Sequence, residues 1–562
     1  MGGAALLLAA LACSTCSTDD PPFVAGPMEA CAEAGDEDGN GAADCDDPAC
    51  ADTPVCKPVC GDGVKAGDEQ CDDGQGAVGD SCDSTCRPAS ITYVKASNTD
   101  SGDFFGRSIA LSADGSTLAI GALGEASAAT GVGGDQVDNR AYGAGAVYVF
   151  TRSGGTWAQE AYVKASNSER ADYFGASLAL SADGSTLAIG ALGEASAANG
   201  VGGDQADNSA YMAGAVYVFT RSGGTWAQEA YVKASNSESV DYFGASLALS
   251  ADGSTLAVGS PDEDSAANGV GGDQADNSAN DAGAVYVFTR SGGTWAQEAY
   301  VKASNSERYD YFGASLALSA NGSTLAVGST GEASAFRGDQ MDNSANEAGA
   351  VYVFMRHRGT WAQQAYVKAP SIDRSDAFGS RVALSSDGAT LAVTAVRESS
   401  AATGVNGDSE DNSGWSSGAG YIFTLAGTTW TRKAYLKASN AEAFDFLGRG
   451  LALSGDGATV VFGTGYERSA ATGRDGDQLD NSQPGAGAAY VFGRSGITWR
   501  QRAYVKATNT WTGDLFGNDL ALSADGSTLA VGASSEDSGA VGVGGDQAND
   551  RTVGAGAVYV YR

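Results

Sequence analysis

Carboxylates dominate the chemistry this chain can offer. Residues 36–47 place Asp36, Asp38, Asn40, Asp44 and Asp47 at positions 1, 3, 5, 9 and 12 of a loop, with Gly41 at position 6. Calcium takes six to eight oxygen ligands, and this spacing can wrap such a set around one ion. Two features stand against it: Asp replaces Glu at position 12, and no helix-forming flank is evident, with Cys45 and Cys50 crowding the end. The competing reading is a solvated acidic linker. Calcium is the one cofactor that the sequence suggests.

A second set of acids recurs through the rest of the chain. Glutamates stand at Glu125, Glu194, Glu263, Glu332, Glu398, Glu467 and Glu536. A Gly-Asp-Gln-x-Asp-Asn pattern supplies Asp135 and Asp138, Asp204 and Asp207, and Asp273 and Asp276, with further copies downstream. Another aspartate recurs at Asp103, Asp172, Asp241, Asp310, Asp376, Asp445 and Asp514. These groups have two readings. They could bind a hard cation or an external ligand, or they could cap turns by accepting nearby backbone N–H groups.

Other catalytic chemistries are poorly served. The single histidine, His357, excludes Ser-His-Asp and Cys-His catalysis and histidine-based metal sites. No nucleophile elbow or phosphate-binding Gly-Lys-Ser/Thr loop occurs. The expectation is therefore a non-enzymatic protein. Paired carboxylates could still cleave a glycan, and Pro261-Asp262-Glu263-Asp264 breaks the repeat pattern in a way that would suit this alternative. Arg337-Gly338-Asp339 spells a cell-attachment tripeptide, but it sits beside an ordinary Gly-Asp-Gln and reads as chance juxtaposition.

The formal net charge of −36 over 562 residues repels phosphate backbones and anionic lipid head groups. Nucleic acid is excluded as a partner on this ground. Cations, glycans or proteins remain.

The elements that must position these acids follow from self-similarity. Tyr-Val-Lys-Ala begins at Tyr93, Tyr162, Tyr231, Tyr300, Tyr366 and Tyr504, with Tyr435-Leu-Lys-Ala as a variant, at intervals of 69 or 66 residues. Within one copy, 174–181, 186–191, 215–219 and 226–233 read as four strands. Ala182-Asp-Gly-Ser185 and 221–225 read as tight turns. Seven such units with no helical period predict an all-β seven-bladed β-propeller of four-stranded antiparallel blades over residues 90–562. A β-solenoid is the alternative, but its coils are usually shorter and lack such hairpins. A tryptophan opens the fourth strand at Trp157, Trp226, Trp295, Trp361, Trp430 and Trp499, and is expected to pack between blades.

Phe105-Gly106, Gly121-Ala122 and Gly145-Ala-Val-Tyr-Val-Phe150, repeated with drift, resemble the FG-GAP repeats of integrin α-subunit propellers. The resemblance implies that the first segment supplies the outermost strand of the last blade. Residues 91–96 and 558–562 would then complete one sheet and remove an open edge. The family's calcium loops do not carry over, because the matching turn here is only Ser112-Ala-Asp-Gly-Ser116.

Antiparallel order places the short turns on one face of the propeller. The second-to-third and fourth-to-first connections, with about twenty extra residues per blade, fall on the other. Ligand binding is expected on that long-loop face, with Glu125, Asp135, Asp138, Glu194, Asp204, Asp207, Glu263, Asp273 and Asp276 as its candidate metal or ligand groups.

The N-terminal region differs in kind. All ten cysteines lie between Cys13 and Cys86, which points to an oxidising compartment and disulfides that staple a small segment. Residues 1–18 read as a signal peptide. The run Leu6-Leu-Leu-Ala-Ala-Leu-Ala-Cys13 resembles a bacterial lipoprotein signal with Cys13 as the lipid anchor, although no Lys or Arg precedes Lys57. Residues 19–89 read as an acidic, cysteine-rich stalk, and Cys60 to Cys86 resembles the cysteine-rich repeats of myxobacterial-type surface proteins. The whole reads as an exported, envelope- or outer-membrane-anchored monomer. Its propeller is expected to bind an extracellular glycan or protein, as an adhesion or surface-binding scaffold. A structural envelope protein with no specific ligand is a further alternative.

Overall fold

The computed structural model describes residues 90–335, 339–369, 371 and 373–562. The chain divides into two compact units, Met1–Gln75 and Gly76–Arg562, and the described residues belong to the second. Cys13, the acids of 36–47, the cysteine-rich segment, Arg337 and Gly338 lie outside the described residues.

The described residues form twenty-eight strands, numbered β1–β28 in chain order, arranged as seven four-stranded antiparallel sheets. This is the seven-bladed propeller that the repeats predict. Blade one comprises β2 (Phe105–Leu111), β3 (Thr117–Ala122), β4 (Ala146–Ser153) and β5 (Thr156–Val163). The other blades repeat that order. Blade seven is composite: β1 (Ile91–Val94) pairs with β28 (Ala557–Tyr561), which continues through β27 (Leu529–Ala533) to β26 (Phe516–Leu522). The register runs from Ile91 opposite Tyr561 to Val94 opposite Val558, so the two ends of the repeat array share one sheet.

The third and fourth strands run further than the sequence pattern alone suggests. In blade two the third strand spans Ala215–Ser222 and the fourth starts at Thr225. The connection is only Gly223-Gly224, both at positive φ (58° and 80°). Two-residue hairpins need that geometry because it matches strand twist.

The core lies between blades. One cluster joins Val147, Val149 and Val163 of blade one to Phe174, Ile189, Tyr217, Phe219 and Trp226 of blade two. Trp226 is buried there, so the strand-opening tryptophan removes a large apolar area at the seam. The two motif glycines have a related purpose. A Cβ on Gly121 would lie 2.2 Å from the Gly175 carbonyl oxygen of the next blade. Ser108 Oγ donates to that same oxygen at 2.6 Å. The Gly-Ala of one blade thus meets the Phe-Gly of the next by backbone contact. On the opposite side the first turns form a closed ring. Ala113 donates its N–H to Ala182 O, and the series continues through Ala251, Ala320, Ser386, Gly455 and Ala524 back to Ala113, at 2.8–3.0 Å.

One seam departs from the pattern and compensates for it. Gly420 of β20 (Ala419–Ala426) stands where blade one has Val147, and faces Phe462 of β23 (Thr459–Thr464), which stands where blade two has Ile189. A Cβ on Gly420 would meet the Phe462 ring at 2.2 Å. Gly420→Val alone is expected to cost about 1–3 kcal/mol through overpacking, and Gly420→Val with Phe462→Val to recover most of it. Denaturant unfolding of both variants checks this; equal losses would show that the two positions are not coupled.

Candidate functional site

The recurring glutamates are not on the ligand face where the sequence places them. Glu125 and Lys164 are almost completely buried and form an ion pair at 2.8 Å. Tyr162 donates its hydroxyl to Glu125 Oε1 at 2.9 Å, and Asn98 Nδ2 adds a third donor at 3.3 Å. Glu194 pairs with Lys233 and Glu263 with Lys302 in the same way. Glu332, Glu398, Glu467 and Glu536 pair with Lys368, Lys437, Lys506 and Lys95. Each glutamate follows the second strand of its blade, and its Tyr and Lys come from the end of the outer strand. Burial pushes the Lys164 ammonium below its ordinary value, and the facing Glu125 pulls it back up. The motif lysine was the missed signal: it recurs seven times on a strand end that has no reason to carry exposed charge.

The aspartates before the strand-opening motif are also buried, and each accepts the backbone N–H three residues earlier. Asp172 takes it from Glu169 at 2.7 Å and Asp241 from Glu238 at 3.0 Å. Burial pushes Asp103, Asp172, Asp445 and Asp514 up to about 7, and Asp241, Asp310 and Asp376 up to about 8.

The Gly-Asp-Gln-x-Asp-Asn acids lie on the long-loop face, where they cap turns. Asp135, Asp204 and Asp273 accept the N–H two residues on, from Val137, Ala206 and Ala275, at 2.9–3.0 Å. Asp138, Asp207 and Asp276 accept from Arg140, Ser209 and Ser278 at 3.1–3.2 Å. Among the described residues no three His, Cys, Asp or Glu side chains converge to hold a metal ion. On this face, Asp262 is pushed up to about 6 by burial and by Asp281 and Asp264.

What the long-loop face does offer is aromatic. Among the described residues the large exposed aromatic side chains are Tyr142, Tyr211, Tyr309, Trp415, Phe444 and Trp511. All six belong to second-to-third or fourth-to-first connections. They sit near blade seams: Ala171 donates its N–H to Tyr142 O, Val240 to Tyr211 O and Phe444 to Trp415 O.

A cavity of about 600 Å³ opens on the same side of the propeller. It shares Arg107 and Arg381 with a narrower channel of about 230 Å³, whose walls include Ile109, Leu178, Leu247, Leu316, Val382, Leu451 and Leu520, one from each blade. The wide cavity is therefore the mouth of the propeller axis. Its apolar wall includes Phe104, Phe446 and Leu515, and its charged wall is Arg107, Arg381, Arg397 and Arg449. Asp519 is the one carboxylate lining the channel, and it accepts the Ile109 N–H at 2.7 Å. Sequence reading missed this site because it followed what repeats. The signal was a departure: the residue after the motif glycine is Ala176, Ala245 and Ala314 in three blades but Arg107 and Arg449 in two others.

A family model described as FG-GAP repeat matches residues 295–354. No curated protein matches the sequence. Among solved structures, the chain is similar to the β-propeller domain of Cps50 (Swd1) from Myceliophteria thermophila, at 11% identity and a TM-score of 0.45, covering 84% of this chain and 99% of that one. It is also similar to a Bacteroides uniformis protein named for 6-phosphogluconolactonase, at 11% identity and a TM-score of 0.42, covering 75% and 97%. The chain is thus a seven-bladed β-propeller of four-stranded antiparallel blades that carries a recognisable FG-GAP repeat.

Proposed function

We propose that this protein is an exported surface-binding scaffold whose long-loop face engages an extracellular glycan. The observation that carries this reading is the placement of Tyr142, Tyr211, Tyr309, Trp415, Phe444 and Trp511, exposed on one face of a rigid ring. Large flat side chains lose little entropy on contact and offer apolar faces with polar tips, which suits stacking against sugar rings. Among the described residues the trimmed face has no such set. Its turns are held by internal bonds such as Ser185 N–H to Asp183 at 2.9 Å.

The axial channel has one carboxylate, Asp519, so paired-carboxylate cleavage would have to use Asp262, Asp264 and Asp281 of the long-loop face instead. Export and envelope attachment through Cys13, with residues 19–89 as a stalk and calcium at 36–47, belong to the same proposal and rest on the cysteine distribution. The full chain, applied to an array of extracellular polysaccharides, is expected to be retained. Replacing Tyr142, Tyr211 and Trp415 together with alanine is expected to abolish retention without changing the melting temperature. Asp183→Ala on the trimmed face is expected to leave it intact. Undiminished retention by the triple variant would sink the assignment.

A further inference from the structure

The axial mouth concentrates positive charge in a protein of net charge −36. Arg397 is partly engaged, donating to Glu347 at 2.9 Å where both are half exposed. Arg107, Arg381 and Arg449 have no carboxylate within salt-bridge distance among the described residues; the ion pairs seen there involve other groups. Arg381 Nε donates to the Arg449 carbonyl at 3.0 Å. Arg449 stacks over Phe446 and Tyr466, at 5.4 and 4.8 Å from the ring centroids, and its Nε is buried without a hydrogen-bond partner. Arg107 and Arg449 repel the buried Arg381 guanidinium, while Asp519 attracts it. Arg449, held on aromatic faces with an unfilled Nε donor, and Arg107 and Arg381 beside it at an open cavity form a receptor for an oxyanion, because guanidinium forks match carboxylate and sulfate geometry.

We infer that the axial mouth binds the charged group of an acidic sugar, with a carboxylate or sulfate seated among Arg107, Arg381 and Arg449 and the sugar ring against Phe104 and Phe446. This rests on the glycan-binding reading above and specifies its ligand class. The mouth is wide enough for one or two sugar rings, and its apolar wall offers a ring face what a free inorganic anion would not use.

The test is titration calorimetry of the full chain with trigalacturonate, with its fully methyl-esterified form, and with a sulfated galactose disaccharide and its desulfated form. Binding of one acidic probe is expected, weakened at least 10-fold by loss of its charge and to a similar degree by Arg449→Gln. Arg107→Gln, which alters an exposed side chain, is expected to weaken it too without lowering the melting temperature. The two acidic probes tell carboxylate from sulfate. Equal affinity for charged and neutral forms would overturn the inference while leaving glycan binding in place. Binding of no saccharide by the full chain, here and on the array, would overturn both.

Discussion

Lys95→Met is expected to cost about 3–5 kcal/mol, the loss typical of leaving a buried carboxylate without its partner. Lys95 Nζ lies 2.9 Å from Glu536 Oε2, and both side chains are essentially inaccessible. Tyr93 donates its hydroxyl to Glu536 Oε1 at 2.9 Å. Both donors come from the end of β1, while Glu536 follows β27, so this node fastens the closing strand to the last blade. In every other blade the same pair joins strands that are already linked through the continuous chain of their own unit. Lys95→Met should therefore loosen the seam as well as lower stability, with faster amide exchange along the Ile91–Val94 ladder. Lys164→Met should lower stability without that local effect. Denaturant unfolding with hydrogen exchange measures both quantities. Wild-type stability in Lys95→Met would mean that the ion pair does not hold the closure, and deletion of 91–96 would then separate the contribution of the strand itself.

The propeller is also expected to lose stability as pH rises from about 4 to about 8. The cause is the set of seven buried aspartates, whose folded pKa values of about 7 to 8 lie above the ordinary value of 3.8. Between those limits the folded chain binds more protons than the unfolded chain, so unfolding releases protons and is favoured as pH rises. The stabilisation is complete below about 4 and gone above the folded values. Asp241→Asn keeps an acceptor for the Glu238 N–H and removes the titration. It should melt above wild type at pH 8, and above it by much less at pH 5. A wild-type melting temperature that rises from pH 5 to pH 8 would contradict the account, as would an Asp241→Asn variant that melts lower at both.

The fold was legible because every blade states it again. The 69-residue interval, the glycine turns and the alternation within strands all point to four antiparallel strands per unit, and the composite last blade followed from the extra strand before the first full repeat. The acids were harder to read. A carboxylate that recurs seven times looks functional, yet a position repeated in every blade is also one that every blade needs for its own packing. Glu125 and its counterparts belong to that class, and their partner Lys164 lies 39 residues away, too far for local pattern to show. Turn capping was one of two readings of Asp135 open at the sequence level, and its carboxylate does accept the Val137 N–H. The axial arginines and seam aromatics were the least legible. Arg107, Arg381 and Arg449 become neighbours only when the ring closes, and nothing in linear spacing brings residues of blades one, five and six together.

The most direct test of the account is a single comparison on the polysaccharide array between two triple variants of the full chain. One carries Asp135→Asn, Asp204→Asn and Asp273→Asn, which remove repeated charges and keep the turn acceptors. The other carries Tyr142→Ala, Tyr211→Ala and Trp415→Ala, which remove exposed rings and keep every repeated acid. The first should be retained as wild type and the second should not. Loss of binding in the aspartate variant with retention in the aromatic one would contradict the account and return recognition to the repeated carboxylates.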